Sequence, residues 1–312
     1  MHRKALVTGG AGFIGSRLAR ALLAQGLEVV ILDDLSMGRR ENVPGGAAFL
    51  QGDVRSGEDV RRALQGVDIV FHEAARVSIR ASLAAFHDDA DVNFMGTLNL
   101  LQCLPKSDVR RLVFASSMAV YADSPAPDPV SEDHPTEPIS PYGIAKLAAE
   151  RYCLQICRDL GIACHVLRYF NTFGPGQAFT PYVGVVTIFV RRLLEGQAPV
   201  IFGDGEQRRD FVHVDDVVAA NLLAMNSPAD CGVFNVGTGR ATSVNEIARL
   251  LCDRIAPGCM PEHREPHPGE LRYSIADIRR IGVALGYRPA TSLSERIGDV
   301  IEHVRSARQV RQ

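Results

Sequence analysis

Thr8-Gly9-Gly10-Ala11-Gly12-Phe13-Ile14-Gly15 follows the apolar run Ala5-Leu6-Val7 and opens an amphipathic stretch. The pattern reads as a strand over Lys4–Thr8, a tight turn, and a helix over Phe13–Ala24. Glycines Gly9, Gly12 and Gly15 let the backbone turn sharply and come close to a pyrophosphate. Its charge would then sit on the unpaired N–H groups of a helix N-terminus. A glycine string alone is weak evidence; the strand, loop and helix around it are what the chemistry requires. An acidic pair, Asp33-Asp34, ends the next apolar run about 20 residues on, where a carboxylate takes the ribose hydroxyls of an adenosine. Asp33 favours NAD over NADP because a carboxylate repels a 2′-phosphate, although Arg39 and Arg40 would attract one. Gly52-Asp53-Val54 follows the third strand, and its acid is placed to meet an adenine amino group.

Further strands at 28–32, Ala48–Gln51, Ile69–His72, 111–115 and 164–168 alternate with helices at 89–104 and Pro141–Leu160. Such alternation predicts an α/β fold, a doubly wound parallel sheet of Rossmann type, with ligands at the carboxyl ends of its strands. Beyond about Tyr169 glycine and proline become frequent, and the reading is of helices at 183–195 and 215–225 and a buried strand at 233–236. The expected division is a Rossmann NAD-binding domain over 1–168 plus about 213–236, and a smaller α/β substrate-binding lobe over 169–212 and 237–312. The stretch 124–141, rich in proline and acids, reads as a surface loop.

The chain has 312 residues, 46% hydrophobic and 22% charged, with a net charge of −2. That balance gives a sizeable core and no basic face for nucleic acid or an anionic membrane. Apolar runs stop well short of the roughly 18 residues of a membrane span, and the N-terminus has no signal-peptide pattern. Seven cysteines are scattered, and Cys153 and Cys157, one helical turn apart, have no matching second pair. The expectation is reduced thiols, no metal, and a cytoplasmic protein.

Tyr142-Gly143-Ile144-Ala145-Lys146 places a phenol and an ammonium one turn apart on a helix face. A lysine so placed would lower the phenol's pKa toward a usable base. Ser116 and Ser117 end the strand at 111–115 on the ligand edge, with hydroxyls to offer a reacting oxygen. A solvated helix face and loop-forming serines are the bland readings of each feature taken singly; the conjunction argues against both.

The glycine loop, Ser116-Ser117, Tyr142-x-x-x-Lys146, Arg168-Tyr169-Phe170-Asn171 and Arg209-Asp210-Phe211-Val212-His213 together resemble the extended short-chain dehydrogenase/reductase family. Within it the chain resembles the nucleotide-sugar 4-epimerases of the UDP-galactose 4-epimerase type, from Lys4 to about residue 300. That resemblance implies NAD-dependent inversion at C4 of a UDP- or dTDP-linked hexose. Hydride passes to the nicotinamide and returns to the other face of the ketone. It implies Ser117, Tyr142 and Lys146 as the catalytic set, with Tyr142 taking the hydroxyl proton and Lys146 holding the nicotinamide ribose. Phe13, Ile14, Ser36, Gly38, Ala74, Ala75, Asn93 and Phe170 would join the glycine loop, Asp33, Asp34, Asp53 and Val54 around the cofactor. Ser116, Asn171, Phe202, Arg209, Arg272 and Ser274 would meet the substrate, and a homodimer would form through the helices at 89–104 and Pro141–Leu160. Ser274 stands where galactose epimerases carry a tyrosine, which leaves room for an N-acetylated hexose.

Two places depart from that pattern. His267, two residues before Gly269-Glu270, stands where the family has an arginine for the diphosphate, with Arg264 and Arg272 nearby. Pro181-Tyr182-Val183-Gly184-Val185 resembles a branch that includes dTDP-rhamnose 4-epimerases. The rival readings are a sugar 4,6-dehydratase or decarboxylase, a 4-ketoreductase, and a nonenzymatic NAD-binding sensor. Dehydratases and decarboxylases carry an acid just before the Val-Tyr of the strand-end motif, where this chain has Met118-Ala119.

Overall fold

The structure, a computed structural model, describes residues 2–77, 79–124, 126–178, 184–266 and 272–309. Pro181, Tyr182, Val183, His267, Gly269 and Glu270, singled out above, lie outside them. The chain opens with β1 (Lys4–Thr8), α1 (Phe13–Ala24), β2 (Glu28–Asp33), β3 (Ala48–Gln51), α2 (Gly57–Ala63) and β4 (Ile69–His72). There follow α3 (Ile79–Ala84), α4 (Phe86–Ala90), a π-helical turn (Asp91–Met95), α5 (Gly96–Cys103), β5 (Arg111–Ser117), α6 (Pro141–Leu160) and β6 (Ala163–Tyr169). These strands and the later β11 form one seven-stranded parallel sheet in the order β11-β6-β5-β4-β1-β2-β3. The chain winds one way from β1 to β3 and the other way from β4 onward. The reversal therefore falls between β1 and β4, the crevice where such sheets bind ligands.

The inner strands are apolar on both faces because helices cover both, and β4 is buried at all four residues. On one side α1 and α8 pack over Leu18, Leu22, Ile31, Phe71, Val113 and Val217. On the other, α2, α5 and α6 pack over Leu6, Val60, Val70, Leu100, Leu112, Phe114 and Cys153. Four cysteines, Cys103, Cys153, Cys157 and Cys164, lie in this second layer as buried free thiols.

The second half supplies β7 (Asn171–Phe173), α7 (Val185–Leu194), β8 (Val200–Phe202), β9 (Arg208–Arg209), β10 (Phe211–His213), α8 (Val214–Met225) and β11 (Cys231–Val236). Then come β12 (Thr242–Ser243), α9 (Val244–Ile255), β13 (Glu262–Arg264), β14 (Tyr273–Ser274), α10 (Arg279–Leu285) and α11 (Leu293–Gln309). β7 pairs with β10, and β9 lies between β12 and β14. A third apolar cluster, with Phe189, Val190, Ile247, Leu251, Ile297 and Val300, holds α7, α9 and α11 together. β11 returns to the large sheet beside β6, as the apolar run at 233–236 led one to expect.

Two differences from the sequence reading bear on the site. The helix expected at 89–104 is α4, a π-helical turn and α5, because the wide turn rotates Asn93 inward onto the Arg76 backbone. The strand expected at 111–115 runs on to Ser117, so its two terminal serines belong to a pleated strand and face opposite ways.

Leu6 lies wholly buried at the centre of the second layer. Leu6→Ala is expected to cost about 2–5 kcal/mol through lost transfer energy and a residual cavity. Urea unfolding with an unchanged m value reads this out; a midpoint equal to that of the parent protein would contradict it.

Candidate active site

The cleft begins at the reversal between β1 and β4. Thr8 pairs with His72, so Gly9 leaves β1 directly beside the loop that leaves β4. Gly9 has φ +68°, and a Cβ there would lie 2.8 Å from the Ala74 backbone; only glycine meets both constraints. A Cβ on Gly15 would lie 2.3 Å from the Gly9 carbonyl oxygen, so α1 sits hard against the loop. α1 begins at Gly12 with no side-chain cap and no acid in its first turn, which leaves its first N–H groups for an anion.

The lining of this cleft brings together Gly9, Gly12, Phe13, Ile14, Gly15, Asp33, Asp34, Ser36, Gly38, Asp53, Val54, Ala74 and Ala75. Asp33 also shapes the loops, accepting from the Ala11 and Leu35 amides at 2.9 and 2.8 Å. Burial pushes its pKa up, against those hydrogen bonds. Asp34 accepts from the Ser36 hydroxyl at 2.6 Å. Asp53 is held by Arg55, whose hydrogen bonds pull its pKa down. Glu73, Arg76, Val92 and Gln177 also line the cleft and were not singled out in the sequence. Glu73 directly follows the strand expected at Ile69–His72, a position that could have marked it; no glycine or strand-end signal marks Arg76, Val92 or Gln177.

Outside that lining, which contains none of Ser117, Tyr142 and Lys146, α6 presents Tyr142, Lys146 and Glu150, spaced by four residues and all buried. Ser140 caps the helix through the Gly143 amide at 3.1 Å, and Pro141 takes its first turn. The Ser117 hydroxyl lies near enough to the Tyr142 phenol to lower its pKa, and it accepts from the Ala119 amide at 3.2 Å. The Tyr142 amide donates to Ser82 of α3 at 3.2 Å. Lys146, 2% exposed, donates to the Ala115 carbonyl at 2.9 Å and lies over the Phe114 ring.

The electrostatics depart from expectation. Burial pushes the Tyr142 phenol up to about 12, with Asp89 adding to the rise and only Ser117 opposing it. Lys146 does not lower it, because desolvation dominates and the ammonium is turned onto Ala115. Burial likewise brings Lys146 down to about 8, against the pull of Glu73, Cys153 and Asp89.

Several expected residues are placed elsewhere. Ser116 faces away from Tyr142 and donates to Glu150 at 3.0 Å, inside the buried Glu150–Arg168 ion pair; strand alternation is the reason. Phe170 does not line the cleft: it packs with Val120, Tyr121, Val130 and Ala276, while its neighbour Tyr169 reaches Glu73. Asn93 is 1% exposed and braces the cleft wall through both ends of its amide. Arg272 forms a two-pronged, exposed pair with Asp204 at 2.8 and 2.9 Å.

The lobe brings the remaining candidates together. Arg209 pairs with Ser274 across β9 and β14, and Asn171 pairs with Phe211 across β7 and β10. Between β9 and β10 stands Asp210, fully buried, which accepts from the Thr238, Gly239 and Ala276 amides and the Thr238 hydroxyl. That grip fixes the strand carrying Arg209. Phe202 lies under the Arg80 guanidinium of α3, 5.9 Å away.

Residues 5–237 match the NAD dependent epimerase/dehydratase family. The UDP-glucose 4-epimerase of Mycolicibacterium smegmatis is 39% identical over 314 residues, covering 98% of this chain and 100% of that protein. The crystal structure of the Thermotoga maritima UDP-glucose 4-epimerase with UDP-glucose superposes with a TM-score of 0.93. It is 40% identical and covers 97% of this chain and 99% of that one. The Thermus thermophilus UDP-glucose 4-epimerase in complex with NAD gives a TM-score of 0.90 at 38% identity, over 97% and 99% of the two chains. The chain belongs to the NAD dependent epimerase/dehydratase family, and NAD is its cofactor. The glycine cradle that any Cβ would fill and the uncapped start of α1 fit a dinucleotide. Among the described residues no helix is long and apolar enough to cross a membrane.

Gly143, between Tyr142 and Lys146, meets the 3-10 turn that follows Ser117: a Cβ there would lie 2.2 Å from the Ala119 carbonyl oxygen. In an ordinary helix Gly→Ala gains about 1 kcal/mol of propensity. Here the backbone clash outweighs that gain. Gly143→Ala is expected to lower the unfolding midpoint and to impair turnover; a raised midpoint with unchanged activity would refute the packing argument.

Proposed function

We propose that this protein inverts C4 of a nucleotide-linked hexose, UDP- or dTDP-bound, by transient oxidation to the 4-keto sugar and return of hydride to the opposite face. The observation that carries the reading is that α6 holds Tyr142 and Lys146 buried one turn apart, with Ser117 ending β5 close by, on the sheet edge that also carries the dinucleotide cleft. Tyr142 takes the C4 hydroxyl proton as the carbon loses hydride, and returns it when hydride comes back. Ser117 shares that proton's oxygen and steadies the developing charge. Lys146 offers its ammonium to the ribose beside the nicotinamide. NAD, when bound, supplies the hydride acceptor and donor and a positive ring that favours phenolate. The residues supply position and proton transfer.

Gly9, Gly12, Phe13, Ile14 and Gly15 hold the pyrophosphate and Asp33 the adenosine ribose. Asn171, Phe202 and Arg209 hold the nucleotide diphosphate. Ser274 borders the sugar; its buried hydroxyl has no hydrogen-bond partner among the described residues, and its small volume admits a C2 acetamido group. Met118 and Ala119, in the 3-10 turn after Ser117, offer no carboxyl for dehydration.

A panel of UDP-, dTDP-, GDP- and CDP-hexoses, plain and N-acetylated, incubated without added cofactor and followed by NMR, tests this. The expected product is the C4 epimer. A 4-keto-6-deoxy sugar, released CO2, or a requirement for stoichiometric NAD would overturn it. Tyr142→Phe is expected to lose about 100- to 10,000-fold in kcat with the fold intact. Near-parental turnover would remove Tyr142 from the chemistry.

The same reading includes a homodimer. Leu83, Phe86, Met95, Ile144 and Tyr152 expose apolar side chains on α3, α4, the π-helical turn and α6, which pack side by side. A second copy burying this face would remove them from water. Sedimentation is expected to give a dimer at micromolar concentration and a monomer for Phe86→Glu; a monomeric parent protein would contradict the assignment.

A further inference from the structure

Glu73 stands at the cleft wall, one residue beyond β4, and takes no part in the chemistry above. His72, the last residue of β4, pairs with Phe114; Glu73 follows it in the chain as Ala115 follows Phe114, and the Ala115 carbonyl accepts from the Lys146 ammonium at 2.9 Å. The Tyr169 hydroxyl donates to the Glu73 carboxyl at 2.8 Å. Asn221 of α8, fully buried, donates to that hydroxyl at 2.7 Å and to the Val217 carbonyl at 2.9 Å. A line of hydrogen bonds thus runs from α8 through β6 to the edge of the cleft, and it ends on an acid beside the lysine.

We propose that Glu73 is a positioning residue: its carboxylate, fixed by Tyr169 and Asn221, is the counter-charge that keeps Lys146 an ammonium. The proposal rests on the reading of Lys146 given above.

The groups around the pair agree with this. Burial lowers Lys146 to about 8, and Glu73 is foremost among the groups that oppose it, ahead of Cys153 and Asp89. Burial raises Glu73 to about 7, and the Tyr169 hydrogen bond and Lys146 oppose that rise. His72, boxed between the Thr8 and Thr97 hydroxyls, is held down to about 3 and stays neutral. Burial pushes Cys153, Tyr142 and Tyr169 up, so these too are neutral near pH 7. Asp89, close enough to act on both Tyr142 and Lys146, is the remaining acid, and burial raises it. Glu73 carries charge above about 7 and Lys146 below about 8. The two opposite charges therefore coexist in the interval between those values; Glu73 protonation removes one below it, and Lys146 deprotonation the other above it.

Lys146 can be watched directly, because Lys4, Lys106 and Lys146 are the chain's three lysines. Protein carrying 13C at the lysine ε-carbon gives three NMR signals, and Lys146→Met identifies the one of interest. In Glu73→Gln, which keeps an acceptor for Tyr169, Lys146 is expected to bind its proton about tenfold more weakly. The alkaline limb of kcat should move to lower pH in step, with KM little changed. Tyr169→Phe, which leaves the carboxylate less stabilised, is expected to shift Lys146 in the same direction by less, and it carries the test if Glu73→Gln does not fold. A Lys146 titration that superposes on the parent's in the folded variant overturns the proposal. The titration is independent of turnover. A shifted Lys146 in a protein that makes no epimer would sink the proposed function and keep the Glu73 assignment; an epimer with Lys146 unshifted would do the reverse.

Discussion

The Arg168 guanidinium grips the Glu150 carboxylate inside the protein, and the helix that carries Tyr142 and Lys146 takes its orientation from that grip. Tyr142, Lys146 and Glu150 recur every four residues, so they share one face of α6. Fixing Glu150 to β6 fixes the roll of that face over the ends of β5 and β6. The pair is 4% and 1% exposed at its side chains, and further hydrogen bonds surround it. Ser116 donates to Glu150 at 3.0 Å, and Arg168 donates to the Tyr121 hydroxyl at 2.9 Å. Tyr121 in turn donates to Asn235 of β11 at 2.6 Å, and the Asn235 amide donates to Glu132 at 2.8 Å. A buried ion pair adds little net stability against an apolar substitute, yet removing one partner costs about 3–5 kcal/mol. Its contribution here is geometric: an apolar contact would let α6 turn, whereas a satisfied network specifies one arrangement.

The surroundings of Tyr142 and Lys146 are organised by the same burial that makes their charges costly. A phenol pushed up and a lysine pushed down both sit next to carboxyls that face inward. Neutral forms are favoured throughout, so the balance among these groups responds to a small change in charge nearby. In the lobe the corresponding device is Asp210, whose carboxylate gathers backbone donors from three positions and anchors β9. Burial raises its pKa while those donors oppose the rise.

The parallel sheet and its reversal were readable because the information is local. Glycine at Gly9 and Gly15, apolar strands bounded by turns, and the Ser-Pro start of α6 each act within a few residues. The bounds of β1, α1, β3, β4 and α6 consequently coincide with the sequence reading. Other local signals were present and passed over: Ser243 and Glu246 form a capping box that announces α9. The π-helical turn carries no such signal, because it arises from the fit of Asn93 against a loop distant in sequence.

The residue types of the cleft and of the Tyr/Lys/Ser set were fixed by the amino-acid sequence, since loop chemistry and helical spacing need nothing beyond near neighbours. Tertiary structure alone decided which of them meet. Whether Ser116 or Ser117 faces Tyr142 depends on the phase of a strand, which β5 keeps through its two-residue extension to Ser117. Phe170 lies among apolar neighbours and Tyr169 on Glu73 for the same reason. The charge states were beyond the sequence as well. Sequence spacing predicts that Lys146 lowers Tyr142, but desolvation depends on how much protein surrounds a group, and that is known only once the chain has packed around it.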